Sequence, residues 1–304
     1  MGTYFRVVHV LDEHSVVDPA LAESIQHELD RLNGLLSHYD PDSEVSVFSS
    51  FPANQAMLIS DELAQVLRVS LEVYQQSQRA FDVTLAPVID AWGFGPKGEI
   101  TRAPSASELT ALKARVGSDK LVLDGNRLTK QHPETSLNLS AVAKGYAVAS
   151  LSRWLHQRGL MNHMVDIGGE IAVRGTNADG KLWRVGIETP HIAGGVEAVV
   201  ELDNQAIATS GDYRNYLELD GQRFSHTIDA FSFQPVYHRL ASVSILHESA
   251  TKADAWATAI MVLGDEQGLA LADALELDYY ALIRTESDVL TARWSNGFDE
   301  RLLK

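Results

Sequence analysis

The stretch Asn138-Leu-Ser-Ala-Val-Ala-Lys-Gly-Tyr146 is the one around which the rest of the sequence is organised. An apolar, strand-like run over residues 136–139 ends there, and a helical pattern begins with small residues around a single lysine, Lys144. A helix that starts at such a junction has free backbone N–H groups and a dipole that favours anions. Small side chains let a ligand approach the backbone, and the ammonium group adds a charge suited to a phosphate. A tight helix–sheet contact with an exposed lysine would produce the same pattern, and this stretch alone does not decide between the two.

Composition narrows the class of protein. The 304 residues carry 25 basic and 41 acidic side chains, a formal charge of −16, which disfavours nucleic acid as a partner. A phosphate ligand is compatible with that charge, because a site can be locally positive or can recruit a divalent cation. The absence of cysteine excludes disulfides, thiolate nucleophiles and zinc–thiolate sites. We expect a single domain over residues 1–304, since no repeat, low-complexity tract or linker divides the chain.

Hydrophobic periodicity predicts strands and helices in irregular alternation with hairpins, which is typical of the α+β class. The interior glycines of one predicted strand indicate a bulge or the close approach of another group. The expected elements include a strand over residues 3–11, a helix over 19–38, a polar turn segment over 39–46, a strand over 164–173 interrupted by two glycines, a strand within 206–214, and helices over 253–263 and 265–275.

Two further sets of residues have chemistry of their own. Asp254 and Thr258, four residues apart on a predicted helix, share one face, so a carboxylate and a hydroxyl oxygen can converge. Such hard ligands suit magnesium or calcium, although the helix dipole alone also favours an aspartate near a helix N-terminus. His226, with Asp229 nearby, could act as general base on a hydroxyl group. A hydrogen-bonded strand histidine is the alternative interpretation.

Read in order along the chain, the motifs resemble the ApbE-type FAD:protein FMN transferases. No single motif is decisive, and none matches a Walker loop or a dinucleotide-binding glycine fingerprint. Nine collinear segments over essentially the whole chain carry the resemblance. They are Met1-Gly-Thr3, Tyr39-Asp-Pro-Asp-Ser-Glu-Val-Ser46, Ala80-Phe-Asp-Val-Thr84, Trp92-Gly-Phe-Gly95, Leu139-Ser-Ala-Val-Ala-Lys-Gly-Tyr146, Asp166-Ile-Gly-Gly-Glu170, Thr209-Ser-Gly-Asp-Tyr213, His226-Thr-Ile-Asp229 and Asp254-Ala-Trp-Ala-Thr258.

The resemblance implies a single-domain, T-fold-like α+β architecture with an FAD cleft between two subregions. It also implies a Mg²⁺-dependent reaction in which FAD is split at its pyrophosphate, FMN is joined to a threonine or serine hydroxyl of an acceptor protein, and AMP leaves. Acceptors of the family are subunits of Rnf- or Nqr-type redox complexes or similar FMN-binding domains. Because family members are commonly exported or lipid-anchored, the resemblance implies a periplasmic or cell-envelope-facing location, with a possible membrane tether through a removed N-terminal leader.

Matched by position, the resemblance also implies roles for individual residues. The backbone carbonyl of Ala141, the carboxylate of Asp254 and the hydroxyl of Thr258 would bind magnesium. Lys144 would face the FAD phosphates, and His226 would be the base for the incoming hydroxyl. Contacts with the flavin nucleotide are implied for Met1, Tyr39, Ala80, Phe81, Asp82, Asn138, Ser210, Gly211 and Asp212.

The sequence departs from the family pattern near these residues. Where the family usually reads His-x-Ile-Asp-Pro-x-Thr-Gly, this chain reads His226-Thr-Ile-Asp-Ala-Phe-Ser-Phe233, so we expect changed backbone preferences and two aromatic rings that fill space. Asn138 and Ala149 stand where aspartates are common. Because transfer depends on tighter geometry than binding does, two alternatives stay open. They are an FAD pyrophosphatase that releases FMN and AMP, and a non-catalytic FAD-binding protein.

Overall fold

A computed structural model describes residues 2–11, 18–96, 98, 100–190, 195–212, 216–219, 221–287 and 289–303. Within these ranges the chain forms eight α-helices, fourteen strands and one short 3-10 helix, and all paired strands are antiparallel. The predicted α+β class is therefore confirmed. No helix in the described ranges is long and apolar enough to cross a lipid bilayer.

The bounds of the elements are as follows. The helices are α1 (Leu21–Leu36), α2 (Glu44–Ser50), α3 (Asp61–Gln76), α4 (Ala86–Ala91), α5 (Ala106–Leu112), α6 (Ala143–Gln157), α7 (Ala250–Ala274) and α8 (Asn296–Asp299). The strands are β1 (Phe5–His9), β2 (Met57–Leu58), β3 (Leu121–Asp124), β4 (Arg127–Lys130), β5 (His163–Ile167), β6 (Glu170–Arg174), β7 (Trp183–Glu188), β8 (Val196–Leu202), β9 (Ala206–Gly211), β10 (Tyr216–Leu219), β11 (Gln222–Ser225), β12 (Leu240–His247), β13 (Asp278–Arg284) and β14 (Leu290–Trp294).

The central feature is a seven-stranded sheet in the order β1-β5-β6-β9-β12-β13-β14. Both of its faces are covered, so the inner strands β5 and β12 are buried along nearly their whole length. Alternate side chains of β5 enter different cores: Val165 packs on the helical side with α6 and α7, and Met164 packs on the opposite side with β7 and β8. A third, smaller core joins α4 and α5 to the segment that follows β11.

Helix α2 begins inside the segment that the sequence indicated as a polar turn. Ser43 caps this helix by accepting a hydrogen bond from the backbone N–H of Ser46. Val45 and Phe48, three residues apart, are both fully buried. The prediction of a turn through residue 46 is wrong because a serine cap and this one-sided burial stabilise a helical turn despite the polar composition.

Residues 164–173 form a hairpin and not a single interrupted strand. Strands β5 and β6 pair with each other, and Ile167 lies opposite Glu170 across the turn. The turn residues Gly168 and Gly169 have φ angles of 66° and 103°, which residues other than glycine rarely adopt. The two glycines therefore reverse the chain, and this reversal places Glu170 at the first position of β6.

Helix α7 contains the break that was expected between two C-terminal helices. Gly264 has φ 78° and ψ −171°, so the helical path is interrupted there although the flanking segments follow one another. The side chain of His238 packs against this position, where a β-carbon would lie 2.7 Å from its ring. The helix starts earlier than predicted, at Ala250, because Ser249 caps it by accepting a hydrogen bond from Lys252 N–H.

Candidate active site

A cavity of about 1650 Å³ opens beside the N-terminal ends of α6 and α7 and the segment after β11. Small-molecule pockets usually measure about 300–1000 Å³, so this one has room for a ligand as long as a dinucleotide. The cavity is lined by most of the residues that the sequence analysis predicts for a functional site. They are Tyr39, Ala80, Phe81, Asp82, Asn138, Ala141, Lys144, Ser210, Gly211, His226, Asp254 and Thr258. Met1 lies outside the described residues.

The floor of the cavity is the junction between α6 and α7. The backbone N–H of Gly145 donates to Asp254 Oδ2 at 2.8 Å. A β-carbon at residue 145 would lie 2.6 Å from Asp254 Cβ and still closer to the Ala250 carbonyl oxygen. Glycine is therefore required here, since only a residue without a side chain lets the two helices approach closely enough for this bond.

Three residues with hard oxygen donors, Ala141, Asp254 and Thr258, line the cavity beside this junction. Helix α6 begins at Ala143, so the N–H of Gly145 is one of its first N–H groups that lack an acceptor within the helix, and Asp254 supplies that acceptor. The carbonyl of Ala141 precedes the helix and accepts no backbone hydrogen bond from the described residues. Thr258 follows Asp254 by one helical turn, and its Oγ1 lies 3.3 Å from Ser210 Oγ. No cluster of three histidine, aspartate or glutamate side chains occurs among the described residues. The donor set fits a cation such as Mg²⁺, which commonly takes few protein ligands and completes its shell with water and phosphate oxygens.

Lys144 forms an ion pair with Glu170 at the same floor. Glu170 is almost fully buried, so its carboxylate has lost the stabilisation that water gives. Burial raises the pKa of Glu170 to about 8, with the Lys144 charge opposing the rise and the Asp254 charge adding to it. Burial likewise raises the pKa of Asp254, and Lys144 and the Gly145 N–H oppose that rise. The lysine thus acts on two buried carboxylates at once.

The sequence pattern assigns no role to Glu170, the last residue of the Asp166-Ile-Gly-Gly-Glu170 segment. The available signal was the Gly168-Gly169 pair, which marks a tight reversal immediately before an acidic residue. What could not be inferred was its partner, because Lys144 lies 26 positions away on a different element.

His226 lies just after β11 and contacts the cavity wall. Its ring meets the ring of Phe94 edge-on, with centroids 6.4 Å apart. The nearby carboxylate of Asp229 serves its own loop: it accepts hydrogen bonds from Phe231 N–H at 2.9 Å and from Ser232 Oγ at 2.7 Å. Asp229 therefore shapes the turn that follows His226.

That turn contains the departure from the family pattern, and its two aromatic residues behave differently. Phe233 is buried and has a φ angle of 60°, the left-handed conformation that glycine adopts most easily. Its carbonyl accepts a hydrogen bond from the buried indole N–H of Trp92 at 2.8 Å. Phe231 is 58% exposed, so the expectation that both rings fill space is wrong. Phe233 alone is buried, because the turn stabilised by Asp229 directs it toward α4 and leaves Phe231 at the tip.

Tyr39 stands at the mouth of the cavity. Its side chain is largely exposed, and its hydroxyl donates to the Phe94 carbonyl at 3.1 Å. An exposed ring held in this way can stack on a flat ligand ring. Its neighbour His38 lies deeper and packs against it, with ring centroids 4.2 Å apart, and burial lowers the pKa of His38.

Asn138 shapes the loop before α6. Its Oδ1 accepts from Ser140 N–H at 2.9 Å, a local turn that an aspartate could also form. Its Nδ2 lies 3.3 Å from His38 Nε2. The amide is therefore satisfied by the protein itself on both sides.

The carboxylate of Asp82 is also satisfied internally. It accepts from the hydroxyl of Thr84 at 2.6 Å and from the hydroxyl of Ser118 at 2.7 Å, and the backbone N–H groups of both residues donate to it as well. Burial raises the pKa of Asp82, and these hydrogen bonds oppose the rise. Asp82 lines the cavity, but its charge holds the surrounding loops together.

Asp212 does not line the cavity. Its two carboxylate oxygens accept from the guanidinium group of Arg284 at 2.7 and 2.8 Å, a bidentate pair between the end of β9 and β13. The structure thus separates Asp212 from the neighbouring Ser210 and Gly211, which do reach the cavity. Asp212 lies one residue beyond the end of β9, and its ion pair with Arg284 holds its carboxylate against β13.

Comparison with known proteins agrees with this mixed fold of helices and antiparallel sheets. The family model described as "ApbE family" matches residues 1–283. The FAD:protein FMN transferases of Vibrio cholerae and Haemophilus influenzae are each 37% identical to the chain, over 94% and 96% of its length and 86% of theirs. The solved structure of the flavin transferase ApbE from Vibrio cholerae superposes with a TM-score of 0.91 at 34% identity, covering 99% of this chain and 96% of that one.

The chain belongs to the ApbE family. The family prediction made from the sequence is confirmed, and with it the assignment of the protein to the transferase enzymes.

Proposed function

We propose that this protein transfers FMN from FAD to a threonine or serine hydroxyl of an acceptor protein, in a Mg²⁺-dependent reaction that releases AMP. The relatives' name, FAD:protein FMN transferase, supports flavin transfer from FAD to a protein. The single observation that carries the finer proposal is the Gly145–Asp254 hydrogen bond, since it joins the start of α6, which bears Lys144, to the Asp254 carboxylate of α7 at one cavity floor.

The cation would be held by the Asp254 carboxylate, the Thr258 hydroxyl and the Ala141 carbonyl. When bound, Mg²⁺ supplies charge neutralisation at the pyrophosphate oxygens. This assignment suits a chain with a formal charge of −16, because the acidic surface by itself would repel an anionic dinucleotide.

Lys144 would face the phosphates. Phosphoryl transfer depends mainly on alignment and on stabilisation of developing charge, for which a fixed ammonium group is suited. Its attachment to the buried Glu170 restricts a side chain that would otherwise be flexible.

His226 would take the proton of the acceptor hydroxyl. The hydroxyl oxygen forms a bond to the phosphorus of the FMN half, and the bond from that phosphorus to the bridging oxygen breaks. The bonding electron pair leaves with AMP, and the proton passes to the imidazole. The edge-on contact with Phe94 limits the orientation of the ring.

Tyr39 and the Ala80–Asp82 segment would contact the nucleotide from the cavity wall. The Asp82 carboxylate is committed to Thr84 and Ser118, so contacts from this segment would come mainly from its backbone. An acceptor of the Rnf, Nqr or FMN-binding-domain kind and a cell-envelope location stay predictions from the family resemblance.

One assay tests this function against the two alternatives. The full chain is incubated with FAD, Mg²⁺ and an FMN-accepting domain, and AMP release and in-gel flavin fluorescence are followed. AMP with a fluorescent acceptor supports transfer, AMP without it supports a pyrophosphatase, and retained FAD with neither product supports a binding protein.

Two site variants and one control variant test the roles proposed for Asp254 and His226. Asp254→Ala should abolish AMP release, whereas Asp273→Asn, a carboxylate on the same helix that pairs with Arg293, should leave it unchanged. His226→Gln should slow transfer by about 10²–10⁴-fold with FAD binding retained. Full activity of either site variant would refute the role given to that residue.

A further inference from the structure

Glu170 is a buried carboxylate, and within the described part of the chain Lys144 is the cation with which it forms an ion pair. Its Oε1 pairs with the Lys144 ammonium group, while its Oε2 is buried and has no hydrogen-bond partner among the described residues. The backbone of Glu170 is fixed by its pairing with Ile167 directly after the two-glycine turn. A half-satisfied carboxylate at such a rigid position requires an explanation, because burial of this kind is costly.

The neighbourhood of Lys144 provides that explanation. Lys144 pairs with Glu170 and directly precedes Gly145, whose N–H donates to Asp254, so the lysine lies between two buried carboxylates in the chain's packing. Its charge opposes the burial-driven rise in the pKa of both carboxylates. Asp254 Oδ2 already accepts a hydrogen bond from the Gly145 N–H. An ammonium group and a divalent cation would therefore compete for the other carboxylate oxygen, Oδ1. A lysine stem is long and flexible, so an unrestrained ammonium group would pair with the nearest free carboxylate.

We propose that Glu170 is a positioning residue that holds the Lys144 ammonium group away from Asp254 and so keeps the Asp254 carboxylate available to a divalent cation. This inference rests on the proposed function, in which Asp254 is a cation ligand. It predicts that the effect of Glu170 on cation binding requires Lys144. If Glu170 acted only through its own negative charge, removing it would weaken cation binding equally with or without the lysine.

The test is a double-mutant cycle that measures binding of Mn²⁺ alone to the full chain, without FAD, by calorimetry or by the loss of the free-Mn²⁺ resonance signal. Glu170→Gln should weaken Mn²⁺ binding roughly tenfold, a change typical of one lost charge-pair interaction. In the Lys144→Met background the same substitution should change Mn²⁺ binding less than about twofold. Glu72→Gln, which breaks a lysine–glutamate pair of 2.7 Å with Lys252 away from the cavity, is the matched control and should leave the affinity unchanged.

Two results would overturn the proposal: unchanged affinity in Glu170→Gln, or an equal loss in both backgrounds. A different result, Mn²⁺ binding that Asp254→Asn does not weaken, would refute the cation site itself and so the proposed function. Thermal unfolding checks that each variant folds. Should Glu170→Gln fail to fold, Glu170→Asp, which keeps the charge but withdraws it by one methylene, gives the same comparison in both backgrounds with the same two overturning results.

Discussion

The backbone N–H of Gly145 donates to Asp254 Oδ2 at 2.8 Å across 109 positions of sequence. This bond joins the first turn of α6 to the N-terminal part of α7, and it gives an acceptor to an N–H group that a helix leaves unpaired at its N-terminus. Lys144 and Asp254 both line one cavity. The relative position of their helices depends on the absence of a side chain at residue 145.

Gly145→Ala should destabilise the protein by about 2–3 kcal/mol, because the new methyl group would overlap the Ala250 carbonyl and force α6 and α7 apart. Urea unfolding measures the change, and AMP release should fall with it. Gly34→Ala is the matched control: its β-carbon meets nothing within 4 Å on α1, so it should stabilise the chain by about 0.5–1 kcal/mol. Equal stability of the two variants would show that α6 and α7 tolerate the extra methyl group.

Asp212→Asn should leave FAD affinity within about twofold of the original while lowering stability by about 1 kcal/mol, since its partly exposed carboxylate pairs with Arg284 and not with the cavity. Fluorescence titration with FAD and urea unfolding measure the two quantities. Arg284→Met should produce the same pair of effects. A loss of FAD affinity beyond tenfold in Asp212→Asn alone would instead support the nucleotide contact that the family resemblance implies.

Phe233→Gly should destabilise the protein by about 2 kcal/mol, because the loss of a buried ring outweighs the relief of a left-handed backbone. Transfer should slow as well, since the turn that follows His226 loses its packing against α4. Phe231→Ala, at the exposed tip of the same turn, should stay within about 0.5 kcal/mol of the original stability. A stabilised Phe233→Gly would mean that backbone strain dominates at this position.

Stability should fall as the pH drops below about 6.5, the ordinary histidine pKa. His163 is fully buried, with Nδ1 2.7 Å from the Leu160 carbonyl and Nε2 2.8 Å from Ser152 Oγ, and burial lowers its pKa. A group whose pKa is lower in the folded state stabilises the fold fully above its unfolded pKa and loses that contribution as the pH falls toward the folded value. The loss approaches about 1.4 kcal/mol per pH unit for one such group.

Urea unfolding at a series of pH values measures this dependence. His163→Gln should reduce its steepness, because glutamine cannot take up a proton. His27→Gln, at an exposed position on α1, should leave the slope unchanged. If the pH dependence of stability were unaltered in His163→Gln, it would have to come from other histidines. Burial also lowers the pKa of His38 and of His247.

Local patterns in the sequence were enough to predict much of the chain. The helices near residues 21–36 and 143–157 follow from apolar residues at helical spacing, and the break at Gly264 follows from a glycine between two such patterns. The polar composition of residues 39–46 predicts a turn, but a helix begins there. The burial of Val45 and Phe48 stabilises that helix, and the polar residues around them hide its apolar spacing in the sequence. The glycines at 168 and 169 predict a bulge or the close approach of another group within one strand, whereas their left-handed angles reverse the chain.

The sequence by itself determined the α+β class, the family, and the residue types suited to phosphate and cation, because spacing along one helix and the order of motifs are properties of the chain alone. Only the tertiary structure decided which of those residues share a cavity and what holds them there. Glu170 beside Lys144, Arg284 on Asp212 and Trp92 on Phe233 are contacts over 26, 72 and 141 positions. No periodicity encodes such pairs, since they arise when separate strands and helices pack and each buried polar group must find its partner.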